Sequence, residues 1–370
     1  MEKFRQQQDQ HYFEKKGRRL FYIAGPCSAE SPEQMIQTAI SLKHAGVHLL
    51  RAGVWKPRTR PGHFEGKGEV SLAWLKEASL QTGLPVAAEV ILPKHAEQAL
   101  KAEIDVLWIG ARTTVNPVMV QELSEALKGA DIPVMVKNPV NPDLELWIGA
   151  IERFARSGIK SIAAVHRGFS SYEKNAYRNH PKWEIPIELK RRMPDLPLIC
   201  DPSHICGNTQ MIRAVAQTAI DLDYDGLMIE VHPEPEAALS DVAQQLTPDG
   251  YAHLIHSLVL RKSNPDAIEA SALIAGLREQ IDAIDRNLIE LLSERMDLAR
   301  RIGQFKKERN VKILQPPRWE EIVKSRSLEG IQKKLDPGFV FALFEIIHRE
   351  AIEQQAGVMN SPDDENVPMS

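Results

Sequence analysis

Eight short apolar runs recur along the first two-thirds of the chain, each followed by a stretch with helical periodicity. They lie between Leu20 and Arg261 and read FYIAG, VHLLRAG, PVAAEV, VLWIGA, PVMVKN, SIAAVHR, PLICDPS and GLMIEVH. Strands that are buried on both faces have this continuous Val, Ile, Leu and Ala composition. Eight such units predict an α/β fold, the (β/α)8 TIM barrel. A doubly wound open sheet is the alternative, but no glycine-rich dinucleotide fingerprint follows the first run.

The residues that end these runs carry charge or can titrate. In a barrel, the active site lies at the carboxyl ends of the strands. The groups there are Cys27, Arg51 with Lys56, Glu89, Arg112, Lys137, His166 with Arg167, Asp201 with His204, and Glu230 with His232. A full ring of such groups is hard to explain by stability alone. Because so many cations converge, the ring predicts two phosphorylated or carboxylated substrates.

The segment Arg51–Gly68 is a cationic loop at the end of a strand. It reads RAGVWKPRTRPGHFEGKG, and its five cations are interrupted by prolines and glycines. Arginine and lysine match the oxygens of phosphate and carboxylate groups. A solvated basic loop is the alternative, and the matching chemistry at other strand ends favours a substrate site.

A second set of residues offers one thiol, one imidazole and two carboxylates: Cys27, His204, Glu230 and Asp241. This mixed donor set suits a borderline divalent ion, namely Mn, Fe, Co or Zn, whereas Mg and Ca prefer oxygen alone. Singly, each residue has an ordinary structural explanation, such as packing, helix capping or an ion pair. Because strands one, seven and eight are neighbours in a closed barrel, we favour the metal site. Cys200 and Cys206 are rival thiols, and we expect Cys200 to point into the packing.

Composition excludes several classes of function. The formal net charge of -4 argues against a nucleic-acid-binding protein. No apolar run is long enough to span a bilayer, and the polar start, MEKFRQQQDQHYFEKKGRRL, lacks the apolar core of a signal peptide. Three cysteines are too few for a disulfide scaffold and suit a reducing compartment. We therefore expect a cytoplasmic protein that binds neither nucleic acid nor membrane.

The last third of the chain has a heptad pattern. After a polar linker at 262–266, apolar residues are spaced alternately by three and four at Ile274, Leu277, Ile281, Ile284, Leu288, Leu291, Leu298, Ile302 and Phe305. This predicts one long helix, followed by helices over 318–328 and 339–355. Arg295 interrupts the seam, where it either snorkels or pairs with a glutamate, or serves a site together with Lys306 on the same face. Since such a helix cannot bury itself in a monomer, we expect an intertwined homodimer or a higher homo-oligomer.

The strand-end motifs resemble those of the 3-deoxy-D-arabino-heptulosonate 7-phosphate (DAHP) synthases, especially the type Iβ branch. These motifs are GPCSAES, RAGVWKPRTRPGHFEG, GARTT, VKNP, HRG, DPSH and IEVHPEPEAALSD, and the similarity extends over nearly all of residues 20–260. The resemblance implies a metal-dependent, aldol-like condensation of phosphoenolpyruvate with D-erythrose 4-phosphate. The alternative, 3-deoxy-octulosonate 8-phosphate synthase, has Asn-Arg where this chain has Pro57-Arg58. Arg60 departs from the pattern, because Ser usually follows KPRT.

The same resemblance implies roles for individual residues. The cations that would bind the phosphate and carboxylate of phosphoenolpyruvate are Arg112, Lys137 and Arg167, with Arg51, Lys56 and Asp201 nearby. Arg58 and Thr59 would hold the phosphate of the aldose. Lys56 is also a candidate proton donor.

Residues 271–357 resemble the all-helical chorismate mutases of the AroQ class. The matching segments are LREQIDAIDRNLIELLSERMDLARRIGQFKKE, PPRWEEI and ALFEIIHREAIEQQ. That family rearranges chorismate to prephenate by selecting a compact conformer and stabilising charge on the breaking ether. The resemblance assigns the carboxylates to Arg278 and Arg295, the ether oxygen to Lys306 and Gln355, and the rest of the substrate to Arg318. Gln315 and Trp319 replace the usual Asp and Glu, which leaves recognition of the hydroxyl group open, with Glu320 as a substitute.

We therefore predict a barrel over 1–262, a helical domain over 263–360 and a disordered tail over 361–370. Together the domains would form a bifunctional shikimate-pathway enzyme, with prephenate as a product and an inhibitor that acts through the helical domain. A non-catalytic dimerisation and sensor module is the alternative for the helices, and a phosphosugar-binding protein is the alternative for the barrel.

Overall fold

A computed structural model describes residues 12–13, 20–172, 176–261, 268–314 and 316–361. The chain divides into two compact units, Met1–Arg261 and Lys262–Ser370. The predicted boundary after residue 262 falls one residue beyond this division. The predicted tail lies outside the described residues from position 362 onward.

The first unit is a closed parallel barrel. In the described part of the chain, eight strands pair in chain order and the last pairs with the first, for example through Gly25 and Glu230. The strands are β1 Phe21–Gly25, β2 Leu49–Ala52, β3 Val86–Val90, β4 Val106–Ile109, β5 Val134–Lys137, β6 Ile162–His166, β7 Leu198–Cys200 and β8 Gly226–Glu230. The predicted TIM barrel is confirmed, and the open doubly wound sheet is wrong.

Helices follow the strands and cover their outward faces with apolar side chains. They are α1 Pro32–His44, α2 Val70–Thr82, α3 Pro93–Lys101, α4 Ala111–Thr114, α5 Pro117–Ala126, α6 Leu144–Arg156, α7 Glu184–Arg192, α8 Pro202–Cys206, α9 Ile212–Asp221 and α10 Pro248–Ser257. The first begins as its sequence predicts: the Ser31 side chain accepts a hydrogen bond from the Gln34 amide, and Pro32 occupies the first turn.

The interior of the barrel has its own apolar core. Alternate residues of each strand point inward, and among them are Ile23, Leu49, Trp108 and Met228. Phe13 is fully buried in the same cluster and packs edge-on against Phe21 at the amino end of β1. Phe13 therefore fills the amino-terminal end of the barrel, which leaves the carboxyl-terminal mouth for the site.

The second unit is helical. In the described residues it consists of α11 Ile268–Glu308, α12 Pro316–Gln332 and α13 Pro337–Asn360, and α13 packs against both other helices. The seam side chains of α11 are between 39% and 64% exposed in the single chain. The predicted long helix is present, and its apolar seam is not covered by the other two helices.

Candidate functional site

A layer of buried charges lies directly above the apolar interior of the barrel. Leu49, Met135, Ile199 and Met228 point into the interior core, and the residue two positions later in each case is charged. These charged residues are Arg51, Lys137, Asp201 and Glu230, and all four are buried. The period-2 geometry of strands therefore aims them at the carboxyl-terminal mouth. The indole of Trp108 forms the floor, with its ring centroid 4.9 Å from Arg51 Cζ and 5.9 Å from Lys137 Nζ.

The charges in this layer are paired. Arg51 Nη1 donates to Glu230 Oε1 at 2.9 Å, and Lys137 Nζ donates to Asp201 Oδ2 at 2.8 Å. Burial raises the pKa of Asp201, but His204 and Lys137 outweigh it and hold that pKa well below its usual value. In Glu230, burial is likewise outweighed by His204 and Arg51, so its pKa is lowered. Both carboxylates are therefore ionised and available as ligands or counterions at neutral pH.

Three of the four predicted metal ligands converge on one point. Donor atoms of Cys27, Glu230 and Asp241 all lie within 4.8 Å of one another. His204 lies beside them, with Nε2 3.7 Å from Glu230 Oε1 and Nδ1 2.8 Å from Asp201 Oδ2. One sulfur, one nitrogen and two carboxylates fit a borderline divalent ion. Asp201 fixes the ring of the histidine, as partners of metal-binding histidines commonly do.

The backbone brings these donors together. Gly25 has φ +153°, and a Cβ there would lie 2.0 Å from the carbonyl oxygen of Arg51, so only glycine lets β1 approach β2 just before Cys27. Burial and the Glu230 carboxylate raise the pKa of the Cys27 thiol to about 12. Lys56 Nζ donates to Cys27 Sγ at 2.9 Å, so Lys56 lies beside the candidate metal ligands. Cys200 and Cys206, the rival thiols, are buried in the core between strands and helices.

The cationic loop is held closed at its base. The Lys56 amide donates to the Glu65 carbonyl at 2.8 Å, and Arg58 Nε donates to the Phe64 carbonyl at 2.7 Å. Thr59 at the exposed tip accepts a hydrogen bond of 3.1 Å from Arg112 Nη2. Arg58, Thr59 and Arg112 thus belong to one part of the mouth. Arg60 is exposed at the tip.

Arg167 is a buried cation that directly follows β6. In the closed barrel, β6 is four strands away from β2, which leads into the cationic loop. Arg167 Nη1 donates to the Gly168 carbonyl at 3.3 Å. Burial lowers the pKa of Arg167 to about 10. A desolvated guanidinium of this kind is stabilised by a bound anion.

The ring of strand-end groups that the sequence predicts at the barrel mouth does not include His166. This residue is the outward neighbour of Arg167, and its imidazole contacts the Tyr224 hydroxyl at 2.9 Å and the Pro181 carbonyl at 2.7 Å. Alternation along β6 sends one of two adjacent residues away from the barrel axis. His166 therefore belongs to the supporting structure.

Three polar residues that the sequence did not reveal contact the candidate metal ligands. Arg178 Nη1 donates to Asp241 Oδ1 at 3.0 Å, Gln244 Nε2 donates to Glu230 Oε2 at 2.6 Å, and Gln245 Oε1 accepts from the Cys27 amide at 2.8 Å. The only signal in the sequence is the pair of glutamines three and four residues after Asp241.

The helical unit brings two of its predicted residues together. Lys306 Nζ donates to Gln355 Oε1 at 3.0 Å and to the Ile313 carbonyl at 2.7 Å. A Cβ on Gly303 would lie 3.0 Å from the Gln355 Cα, so the absence of a side chain there lets α11 and α13 approach closely. Arg295 Nη1 donates to the Ile347 carbonyl at 3.5 Å, and burial lowers its pKa. The contact places Arg295 against the same helix as Gln355.

Of the remaining predicted residues of this unit, Arg278 is distant from that group. Arg278 is exposed and lies seventeen residues before Arg295 on α11, which corresponds to about 25 Å at the usual rise per residue. Trp319 stacks on His348 with ring centroids 4.3 Å apart, and Glu320 is exposed. Gln315 and the side chain of Arg318 lie outside the described residues.

Comparison with known families and proteins agrees with this division. Residues 3–261 match the family model of the DAHP synthetase I family, and residues 277–356 match that of chorismate mutase type II. Among the described residues, no helix is both long and apolar enough to cross a membrane.

Individual relatives match over about two-thirds of this chain. A phospho-2-dehydro-3-deoxyheptonate aldolase of Thermotoga maritima is 35% identical over 240 residues, which cover 64% of this chain and 68% of the relative. A 2-dehydro-3-deoxyphosphooctonate aldolase of Legionella pneumophila is 28% identical over 262 residues, which cover 65% of this chain and 90% of the relative. A crystal structure of the Thermotoga maritima DAHP synthase superposes with a TM-score of 0.57 at 32% identity, over 64% of this chain and 67% of that one.

Proposed function

The chain belongs to the DAHP synthetase I family, and we propose which of its residues carry out each reaction. It joins a DAHP synthase domain to a chorismate mutase domain and is a bifunctional enzyme of the shikimate pathway. In the barrel, C3 of phosphoenolpyruvate attacks the aldehyde carbon of erythrose 4-phosphate, water adds at C2, and DAHP and inorganic phosphate leave. In the helical unit, chorismate rearranges to prephenate. The observation that carries the first proposal is the buried charged layer at the barrel mouth.

The barrel holds its two phosphorylated substrates with different cations. Lys137 belongs to the layer and Arg167 is also buried, and both would bind the phosphate and carboxylate of phosphoenolpyruvate together with Arg112. Arg58 and Thr59 lie further out on the cationic loop and would bind the phosphate of the aldose. Since Arg112 contacts Thr59, Arg112 lies where the two substrates would meet. Asp201 acts through Lys137 and His204, which it orients.

The thiol, imidazole and carboxylate groups beside the layer would hold the divalent ion. Cys27, His204, Glu230 and Asp241 are its ligands in this proposal, and Arg51 balances the charge of Glu230. When bound, the ion supplies a Lewis acid for the aldehyde oxygen. The donor set supports Mn, Fe, Co or Zn, and the choice among them is made by availability and geometry.

Lys56 would supply the proton that the aldehyde oxygen takes up as it becomes a hydroxyl. Its Nζ lies 2.9 Å from Cys27 Sγ, so the Lys56 amine faces the side chains that would hold the ion. The cationic loop holds Lys56 through its backbone bond to Glu65. A donor held at this point would protonate the developing alkoxide oxygen, which becomes the new hydroxyl, without solvent rearrangement.

The barrel proposal is tested by measuring consumption of phosphoenolpyruvate with four- and five-carbon aldehyde phosphates. Erythrose 4-phosphate should be the preferred acceptor, and arabinose 5-phosphate as the preferred acceptor would overturn the assignment. Treatment with EDTA should abolish condensation. Cys27→Ala should fold, as judged by circular dichroism, yet retain less metal after dialysis than the wild-type protein does.

The helical unit would bind chorismate between α11 and α13. Arg295 is proposed for a carboxylate, Lys306 and Gln355 for the ether oxygen, and Arg318 for the rest of the substrate. The contact between Lys306 and Gln355 supports a polar cluster of this kind. Arg278 lies about 25 Å from Arg295 along the helix, so we propose that a second copy of the chain supplies Arg278 to each site.

A mixing experiment tests this shared site. Homodimers of Arg278→Ala and of Arg295→Ala should each be inactive as mutases, because every site lacks one arginine. If the two are mixed and allowed to exchange subunits, half of the dimers carry one intact site, so about a quarter of the wild-type activity should return. No recovery from subunits that demonstrably exchange would show that both arginines act from one chain.

The proposal also covers feedback inhibition of DAHP synthesis and the cellular location of the enzyme. Prephenate bound to the helical unit would inhibit DAHP synthesis, and Arg295→Ala should then remove this inhibition while leaving DAHP synthesis intact. Inhibition that persists in this variant would place the inhibitor elsewhere. All three cysteines are free, which suits the cytoplasm.

A further inference from the structure

Two buried glutamines follow Asp241 and have no part in the reaction as proposed so far. Gln244 and Gln245 are 1% and 2% exposed, respectively. We propose that both are positioning residues that fix the ligands of the divalent ion, and that Gln244 sets the geometry of both carboxylates. This inference rests on the metal site in the proposed function.

Gln244 links the two carboxylates through one chain of hydrogen bonds. Its Nε2 donates to Glu230 Oε2 at 2.6 Å, and its Oε1 accepts from Arg178 Nη1 at 2.7 Å. The same nitrogen of Arg178 donates to Asp241 Oδ1 at 3.0 Å. One oxygen of each carboxylate therefore accepts a hydrogen bond from Gln244 or Arg178.

The other oxygen of each carboxylate faces a further ligand. Asp241 Oδ2 lies 3.1 Å from Cys27 Sγ, and Glu230 Oε1 lies 3.7 Å from His204 Nε2. Glu230 Oε1 also accepts from Arg51, and a carboxylate oxygen has a second lone pair for an ion. Gln244 and Arg178 therefore favour binding of the ion through one oxygen of each carboxylate.

Gln245 joins the two segments that carry Cys27 and Asp241. Its Oε1 accepts from the Cys27 amide at 2.8 Å, and its Nε2 donates to the carbonyl of Ser240 at 2.9 Å. Asp241 itself has φ 51°, a conformation that residues with a side chain rarely adopt. A strained backbone at a ligand persists only where its surroundings hold it, and the Gln245 amide supplies this restraint.

The amides are better explained by positioning than by packing. An apolar side chain of the same size would fill either position without the cost of desolvating an amide. Both amides instead form hydrogen bonds with side chains of the proposed ligands and their partners, or with the backbone next to a ligand. Partners of this kind typically change metal affinity 10- to 100-fold.

The test measures binding of Co²⁺ to the full chain by competition with a chromogenic chelator, together with the thiolate-to-cobalt charge-transfer band. Gln244→Leu and Gln245→Leu should bind Co²⁺ about 10- to 100-fold more weakly than the wild-type protein does, and Gln244→Leu should shift the band. The matched control is Gln121→Leu, which changes an exposed glutamine on α5 and should leave both readouts unchanged. Thermal unfolding of the metal-free proteins separates loss of the fold from loss of the site.

The outcomes are distinct. A wild-type protein without a thiolate-to-cobalt band would refute the metal site itself, and this inference with it. A wild-type band combined with unchanged Co²⁺ affinity in Gln244→Leu would overturn the role of Gln244 alone. If Gln244→Leu does not fold, Arg178→Met gives the decision, because this side chain is 43% exposed and its loss frees Asp241 Oδ1. Weaker Co²⁺ binding in a folded Arg178→Met protein supports the proposal, and wild-type binding contradicts it.

Discussion

His166 offers a direct test of the electrostatics behind the barrel mouth. The Pro181 carbonyl can only accept, so Nε2 of His166 carries the proton and donates across 2.7 Å. The Tyr224 hydroxyl then donates to Nδ1 across 2.9 Å. The neutral imidazole satisfies both partners, and burial lowers the pKa of His166 to about 3.

The expected effect on stability follows from this pKa. Below pH 6.5 the unfolded chain takes up a proton on His166, whereas the folded chain does so only near pH 3. Folding stability therefore falls as the pH is lowered between these values, by about 1.4 kcal/mol per pH unit. From pH 7.5 to pH 5 the folded protein should lose about 2 kcal/mol through this residue. His166→Gln keeps one donor and one acceptor but cannot titrate in this range, so it lacks this loss.

The assay is urea unfolding of the wild-type protein and of His166→Gln at a series of pH values. All other titrating groups are shared, so their contributions cancel in the difference between the two free energies of unfolding. The difference should shift by about 2 kcal/mol in favour of the variant between pH 7.5 and pH 5. A difference that does not depend on pH would refute a buried neutral histidine.

Three further substitutions address the two sites and the closed end of the barrel. Arg58→Gln should raise the KM for erythrose 4-phosphate about 10- to 100-fold through loss of a charged hydrogen bond, with the KM for phosphoenolpyruvate as the internal control in steady-state kinetics. Lys306→Met should lower the mutase kcat about 100- to 1,000-fold, and an unchanged rate of chorismate loss would remove Lys306 from the site. Phe13→Ala should lower the free energy of unfolding by about 3–5 kcal/mol, because Phe13 is fully buried, while an unchanged denaturation midpoint would show that the amino-terminal mouth needs no plug.

The barrel could be predicted from sequence because its strands are buried on both faces. Each strand is a short apolar run, and the closed order of the strands follows from their number and the helices between them. Phe13 could not be predicted, since a single aromatic residue in a polar segment gives no periodic signal. Its place in the interior core depends on contacts with distant strands.

The site was predictable where side chains follow strands and not where loops meet. Arg51, Lys137 and Glu230 stand at inward positions that alternation specifies, but the sequence does not say which of two adjacent polar residues faces inward. His166 and Arg167 show this ambiguity. The outer residues Arg178 and Gln244 meet because the loops after β6 and β8 meet, and no spacing within the chain encodes that contact.

Under the proposed function, the two units differ in whether one chain can complete a site. In the barrel, closure brings the strand ends to one mouth, so Lys56, Glu230 and the other groups proposed for the site meet within a single chain. In the helical unit, Arg278 and Arg295 lie on one rigid helix, and about 25 Å of rise separates them. No rearrangement of side chains can span that distance, whereas a second α11 packed against the exposed seam can bring another Arg278 to each Arg295. Under the proposed shared site, one dimer would account for both the apolar seam and the position of Arg278, and mutase activity should depend on self-association.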